Sequence, residues 1–165
     1  MRKIILWMCL TTMLVLLVGC SVKTVQMQEP VNVYYCASPI SYHSPSGILQ
    51  SEKQEFQGGQ KDLRGFLNKY LSGPTSPKLS TPFPANGSIL SVEKDGQEMN
   101  VVVSVQFLGL TQNELILAYA CLSMTIFEVT DAEMINLHIY GTNTDRSVVT
   151  MTRDNLWFTD AAEIE

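Results

Sequence analysis

Apolar residues recur along this chain with two periods, two in some stretches and about 3.6 in others, and the switches between them lay out the elements. The clearest period of two spans residues 89–107. Asp95-Gly96 interrupts it as a two-residue hairpin loop, setting Lys94 opposite Gln97, Val92 opposite Met99 and Leu90 opposite Val101. On the second strand Met99, Val101, Val103, Val105 and Phe107 share one face, while Glu98, Asn100, Val102, Ser104 and Gln106 share the other. A sheet with one buried and one polar face follows, the usual reading of antiparallel pairing. Thr111 and Glu114 form a capping-box pattern that opens a helix over 112–129. Its core stripe is Leu115, Ala118, Tyr119, Leu122, Ile126 and Val129.

Upstream, Val31, Val33 and Tyr35 mark a first strand over 31–37, and 49–56 reads as a charged edge strand. Leu63, Phe66, Leu67, Tyr70 and Leu71 fall at helical spacing within a helix over 60–71, which Gly73-Pro74 stops. Residues 76–88, with Pro77, Pro82 and Pro84, read as an irregular connection. Ile135, Leu137 and Ile139 alternate in a last strand, and Val148, Val149, Trp157 and Phe158 suggest a tail that packs back.

The first nineteen residues stand apart from these patterns. Arg2 and Lys3 precede an apolar run over 4–18 that is short for a membrane span and ends in Leu17-Val18-Gly19-Cys20. This is a secretory signal, and its end resembles the lipobox of bacterial lipoproteins. That resemblance implies cleavage after Gly19 and acylation of Cys20, which becomes the mature N-terminus. Residues 20–30 are then a tether and 31–165 a single domain. Ten extended residues reach about 35 Å at most, so the domain stays near the membrane.

Charge narrows the partners. Without Arg2 and Lys3 the eleven basic side chains fall to nine against sixteen acidic ones, a net charge of −7. Nucleic acid calls for clustered basic groups, and anionic lipid does too, so anchoring falls to the acyl chains. Of four cysteines, Cys9 leaves with the signal and Cys20 carries lipid. Cys36 and Cys121 lack metal spacing; export permits a disulfide, but Cys36 lies on the face opposite Val33 and Tyr35, and Cys121 lies off the helix stripe. Both read as small apolar fillers. His43 and His138 make no metal site, Asp131 and Glu133 read as a solvated loop, and no nucleophile–base motif is present. No cofactor, small-molecule substrate or enzyme activity is expected.

The mature domain as a whole resembles the GerM-type (GerMN) domain of sporulation and spore-germination lipoproteins. Val33-Tyr34-Tyr35 matches its first strand, and Leu67, Leu71 and Ser72-Gly73-Pro74 its helix end. Thr81-Pro82-Phe83-Pro84 and Ile89-Leu90-Ser91-Val92 match its proline-rich entry and next strand. The run 103–107, Leu122 with Thr125, and Ile139-Tyr140-Gly141 complete the series. Two features depart from the family: Val102 stands where it often has an acidic residue, and one domain copy is present where some relatives have two. The resemblance implies an α/β unit of the α+β kind, a mixed, mainly antiparallel sheet with two helices on one face, similar to ring-building modules. It implies a non-enzymatic assembly protein in sporulation or germination, with a regulatory lipoprotein partner of a membrane sensor as the alternative.

One feature of the second helix bears on partners. Ile116, Leu117, Ala120, Met124 and Phe127 form a second apolar sector. It is expected to be mostly core, packed on the first helix. Should it face outward, Ile116, Ala120, Met124 and Phe127 would form a surface for another envelope protein or a second copy.

Overall fold

The computed structural model describes residues 30–40, 47–56, 62–141 and 148–155. Strand β1 (Val31–Ala37) pairs antiparallel with β2 (Leu49–Gln54), from Val31 opposite Gln54 to Cys36 opposite Leu49. Helix α1 (Leu63–Tyr70) follows, turning Leu63, Phe66, Leu67 and Tyr70 inward as the periodicity predicts. The start expected at Gln60 lies outside the described residues. The proline-rich stretch beyond α1 is not wholly irregular. A two-residue strand, β3 (Leu79–Ser80), pairs with Cys36 and Ala37, and the Ser38 amide extends the pairing by donating to the Lys78 carbonyl at 2.8 Å. The first sheet therefore has the order β2-β1-β3, with the charged β2 at an edge. On β2, Glu52 accepts bonds from the Thr75 and Ser76 amides and the Thr75 hydroxyl, tying β2 to the loop after α1.

The second sheet has the order β4-β5-β6-β7, from β4 (Ile89–Asp95), β5 (Glu98–Val103), β6 (Met134–Ile139) and β7 (Val148–Thr152). The pairs β4/β5 and β6/β7 are antiparallel, whereas β5 and β6 run parallel. Parallel neighbours need a long crossover. Here it is a 3-10 turn (Val105–Gly109) followed by α2 (Gln112–Val129). The expected class therefore stands, mixed α+β with mainly antiparallel pairing, but the strands divide between two sheets rather than forming one. Buried side chains from both sheets and both helices make one continuous core. Part of the tail does pack back, as β7 against β6; Trp157 and Phe158 lie outside the described residues.

Two local expectations shift. The hairpin loop is Gly96-Gln97, because Asp95 pairs with Glu98, Lys94 with Met99 and Val92 with Val101. Gly96 (φ 59°) takes the first loop position, where a positive φ suits glycine. The register differs from the expected one by two residues, so from Ser91 to the loop and along β5 the side chains keep their faces. Alternation also ends earlier than its pattern suggests. The Ser104 amide donates to the Ser88 carbonyl at 2.9 Å, and the Ser88 amide donates to Ser104 Oγ at 3.0 Å. The chain then tightens into the 3-10 turn, which returns Phe107 to the core and leaves Val105 half exposed. The 84–88 turn presses against that turn: a Cβ on Gly87 would lie 3.0 Å from Pro84 and 3.1 Å from the Phe107 ring.

Each helix covers a strand edge. Asn68 on α1 accepts from the Ile89 amide at 2.9 Å and donates to the Ile89 carbonyl at 3.1 Å, standing in for a neighbouring strand beside β4. There β4 carries an irregularity between Ile89 and Ser91, which turns Leu90 outward rather than towards Val101. On α2, the Thr125 hydroxyl accepts from the Tyr34 amide at 3.0 Å, filling the side of β1 that the short β3 does not reach. The α2 start is the predicted capping box: Thr111 Oγ1 accepts from the Glu114 amide, and the Glu114 carboxylate accepts from the Thr111 amide at 2.8 Å. The Thr111 amide and the Thr111 hydroxyl both donate to the carboxylate, which favours its charged form and holds the Glu114 carboxyl below its usual range.

Candidate functional site

Most side chains that drew attention as chemistry turn out to serve the fold. Asp131 forms an ion pair with Lys94, which holds its carboxyl below the usual range. Glu133 accepts from the Gln97 amide group at 2.9 Å, closing the hairpin onto the β6 entry. His138 lies within β6, opposite Val102 and Val148, and His43 lies outside the described residues. Among the described residues no three His, Cys, Asp or Glu side chains come together as a metal site. An open groove of about 740 Å³ lies at the hairpin end, between Asp95, Glu98, Glu133, Arg153 and Asp154. Its lining combines these acids and the Arg153 guanidinium with Gln97, Met134 and Thr152. A second, about 470 Å³, runs along Phe56, Leu63 and the α2 end at 128–131.

Ser104, Ser123 and Thr125 are buried polar side chains, and two buried tyrosines join them. The Tyr35 hydroxyl on β1 donates to the Tyr70 carbonyl at the end of α1 at 2.9 Å, and the Tyr70 hydroxyl donates back to the Tyr34 carbonyl. The two rings lie 4.9 Å apart, and Phe83 from the proline-rich entry meets Tyr70 edge-on at 5.0 Å. Burial pushes both hydroxyls well above the usual tyrosine range. This is a structural clasp between β1 and α1. It gives the Phe83 of Thr81-Pro82-Phe83-Pro84 a packing role.

The expected partner surface on α2 is split by burial. Ala120 is 1% exposed and Phe127 5%, so neither reaches a partner; Ile116, at 37%, does, and Met124 is half-buried. Most of the second sector is core. Phe127 is covered by Arg153, whose guanidinium lies 4.8 Å from the ring centroid and donates to the Phe127 carbonyl at 2.9 Å. The residue after β7 thus closes the sector that helix periodicity left open. Cys20 lies outside the described residues.

A different apolar surface forms where β5 passes into α2. Val105 and Leu108 on the 3-10 turn are 50% and 56% exposed, and Tyr140 after β6 is 64% exposed. The Tyr140 amide donates to the Val103 carbonyl at 2.8 Å, and Ile89 pairs with Val103 from the other side. Tyr140, Leu90 and the turn therefore gather at one end of the second sheet, beside the start of α2 that bears Ile116. Strand alternation hid this surface: it assigned Val105 and Leu90 to the buried face.

Comparison with solved structures finds this arrangement elsewhere. The first GerMN domain of the sporulation protein GerM from Bacillus subtilis superposes with a TM-score of 0.58, over 77% of this chain and 99% of that domain, at 13% identity. The fold is that of a GerMN domain. The tandem GerMN domains of the same Bacillus subtilis protein align with a TM-score of 0.56 at 15% identity, over 82% of this chain. This chain spans about half of that tandem structure, 48% of its length. At such identities the likeness is one of fold. No family model matches the chain, and no curated protein does. Among the described residues no helix is long and apolar enough to cross a membrane.

Proposed function

We propose that this protein is a lipid-anchored module on the extracytoplasmic face of the cell membrane that binds another envelope protein, without chemistry, in spore formation or germination. The observation that carries the reading is the apolar end of the second sheet. Leu90, Val105, Leu108 and Tyr140 are exposed there, outside the continuous core; Ile40, Ile116, Val148 and Val149 are the other large apolar side chains exposed among the described residues. Exposed apolar side chains gathered at one place are the usual mark of a protein-binding surface. The setting comes from two sources: the signal-like start ending in Cys20, and the GerMN fold, which is found in a sporulation protein. Acylation of Cys20 keeps the domain within a tether's length of the bilayer. The resulting local concentration supports weak binding.

The test is deletion of the gene in its host, with vegetative growth and heat-resistant spores counted separately. Growth stays normal and spore number falls. A Cys20→Ala version, released from the membrane, restores spores poorly. Normal spores with altered envelope signalling would instead favour the regulatory reading, a partner of a membrane sensor.

A further inference from the structure

Two thiols that strand and helix periodicity set apart lie against each other in the core. Cys36 on β1 and Cys121 on α2 are 1% and 0% exposed, both free, with their side chains in hydrogen-bond contact. Their meeting follows from how α2 lies on β1. The Thr125 hydroxyl takes the Tyr34 amide, and the Tyr34 hydroxyl donates to Glu128 at 3.0 Å. From Tyr34 to Cys36 the strand advances roughly 6.6 Å, and from Thr125 back to Cys121 the helix retreats about 6 Å. The two elements run in opposite directions at nearly the same pace, so the cysteines come level. Small side chains at Ala118, Cys121 and Thr125 line one strip of α2, leaving room for that approach.

We propose that Cys36 and Cys121 are the two halves of an intramolecular disulfide, formed with a disulfide oxidant as the chain folds, which fastens α2 to β1. The thiolate of one cysteine attacks a sulfur of the oxidant, giving a mixed disulfide and releasing one oxidant thiolate. The second cysteine's thiolate then attacks the protein sulfur of that mixed disulfide and expels the other oxidant thiolate. The two protons lost by the cysteines go to the two thiolates released, so the oxidant is reduced to a dithiol by two electrons. The bond closes before α2 settles, because in the finished fold both sulfurs are shut off from reagents and burial pushes the Cys121 thiol well above its ordinary value. The supply of oxidant rests on the extracytoplasmic setting proposed above; the pairing itself does not.

Two preparations test the two separately. The full chain, reduced and unfolded, is refolded in mild detergent with excess oxidised glutathione, alkylated, digested and mapped by mass. The peptides bearing Cys36 and Cys121 are expected joined, two hydrogens lighter than their sum. The melting temperature should stand about 5 °C or more above that of the dithiothreitol-treated chain. In Cys36→Ala and Cys121→Ala chains dithiothreitol should leave the melting temperature unmoved. Recovery of the folded chain with Cys36 and Cys121 both alkylated, or each carrying glutathione, would overturn the pairing. The same mapping on chain isolated from host cells, with thiols blocked at lysis, reads the compartment. A bond present after refolding and missing from cells leaves the pairing standing and defeats the extracytoplasmic setting.

Discussion

Phe127 shows how a single side chain changes meaning between pattern and fold. Helical spacing sets it opposite the main stripe of α2, in a sector that reads equally as core or as a binding surface. A residue twenty-six positions later decides the matter: the Arg153 guanidinium covers the ring and bonds the Phe127 carbonyl. No local pattern links an arginine in a 3-10 turn to a phenylalanine on a distant helix, so the sequence could not have revealed it. At 5% exposure Phe127 has little path for a charge to reach water, and the Arg153 guanidinium over the ring would neutralise only part of it. Phe127→Asp is therefore expected to destabilise the fold by about 3 kcal/mol or more, read as a fall in melting temperature. An unchanged melting temperature would return Phe127 to the surface and restore α2 as a docking face. The cysteines teach a related lesson. Alternation set Cys36 away from Val33, and the helix stripe excluded Cys121, yet both are buried because α2 lies along β1 itself. The small residues at 118, 121 and 125 were the available signal of that close approach.

Among the elements, the ones with a self-contained signature were legible and the ones fixed by distant partners were not. β1, α1 and the capped α2 are announced by spacing and end chemistry, and the structure places β1 and α2 on the predicted residues. β3 has no signature of its own, being two residues held by the edge of β1. The end of β5 is likewise set by Ser88, sixteen residues back. The joint between β1 and α1 yields a pH prediction. The Tyr35 hydroxyl donates to the Tyr70 carbonyl and the Tyr70 hydroxyl to the Tyr34 carbonyl, and burial raises both hydroxyls; the same cause pushes Tyr119 on α2 up to about 12. The unfolded chain releases these protons near pH 10 while the folded chain retains them. Above pH 10 the unfolded state thus binds fewer protons, and stability falls as pH rises. Each such tyrosine contributes a slope of about 1.4 kcal/mol per pH unit until its folded value is reached. The expected outcome is cooperative unfolding between pH 10 and 12, with phenolate absorbance rising together with loss of helix signal. Phenolate absorbance that climbs at pH 10 while the helix signal stays intact would show the hydroxyls to be accessible.

For the whole molecule, the decisive contrast lies between its two ends. The hairpin end is polar: Lys94 pairs with Asp131, Gln97 bonds Glu133, and acids line the open groove. The opposite end of the same sheet presents Leu90, Val105, Leu108 and Tyr140. Val105 and Leu108 are half or more exposed and lie outside the core, so the fold should tolerate their loss. Val105→Asp together with Leu108→Asp is accordingly expected to change stability by no more than about 0.5 kcal/mol for each site, the usual range for surface positions. Binding should respond differently, since a partner seated on this end would have to bury two unpaired carboxylates. In a host lacking the native gene, the double variant should accumulate at the membrane to normal levels, melt normally when purified, and restore heat-resistant spores at least tenfold less well than the unaltered chain, as a loss of more than about 1.4 kcal/mol in binding implies. Paired substitution of Glu93→Lys and Asp95→Lys at the polar end should restore them fully. Full restoration by the double variant would remove the apolar end as the binding surface. Equal failure of both pairs would point to a general effect of charge.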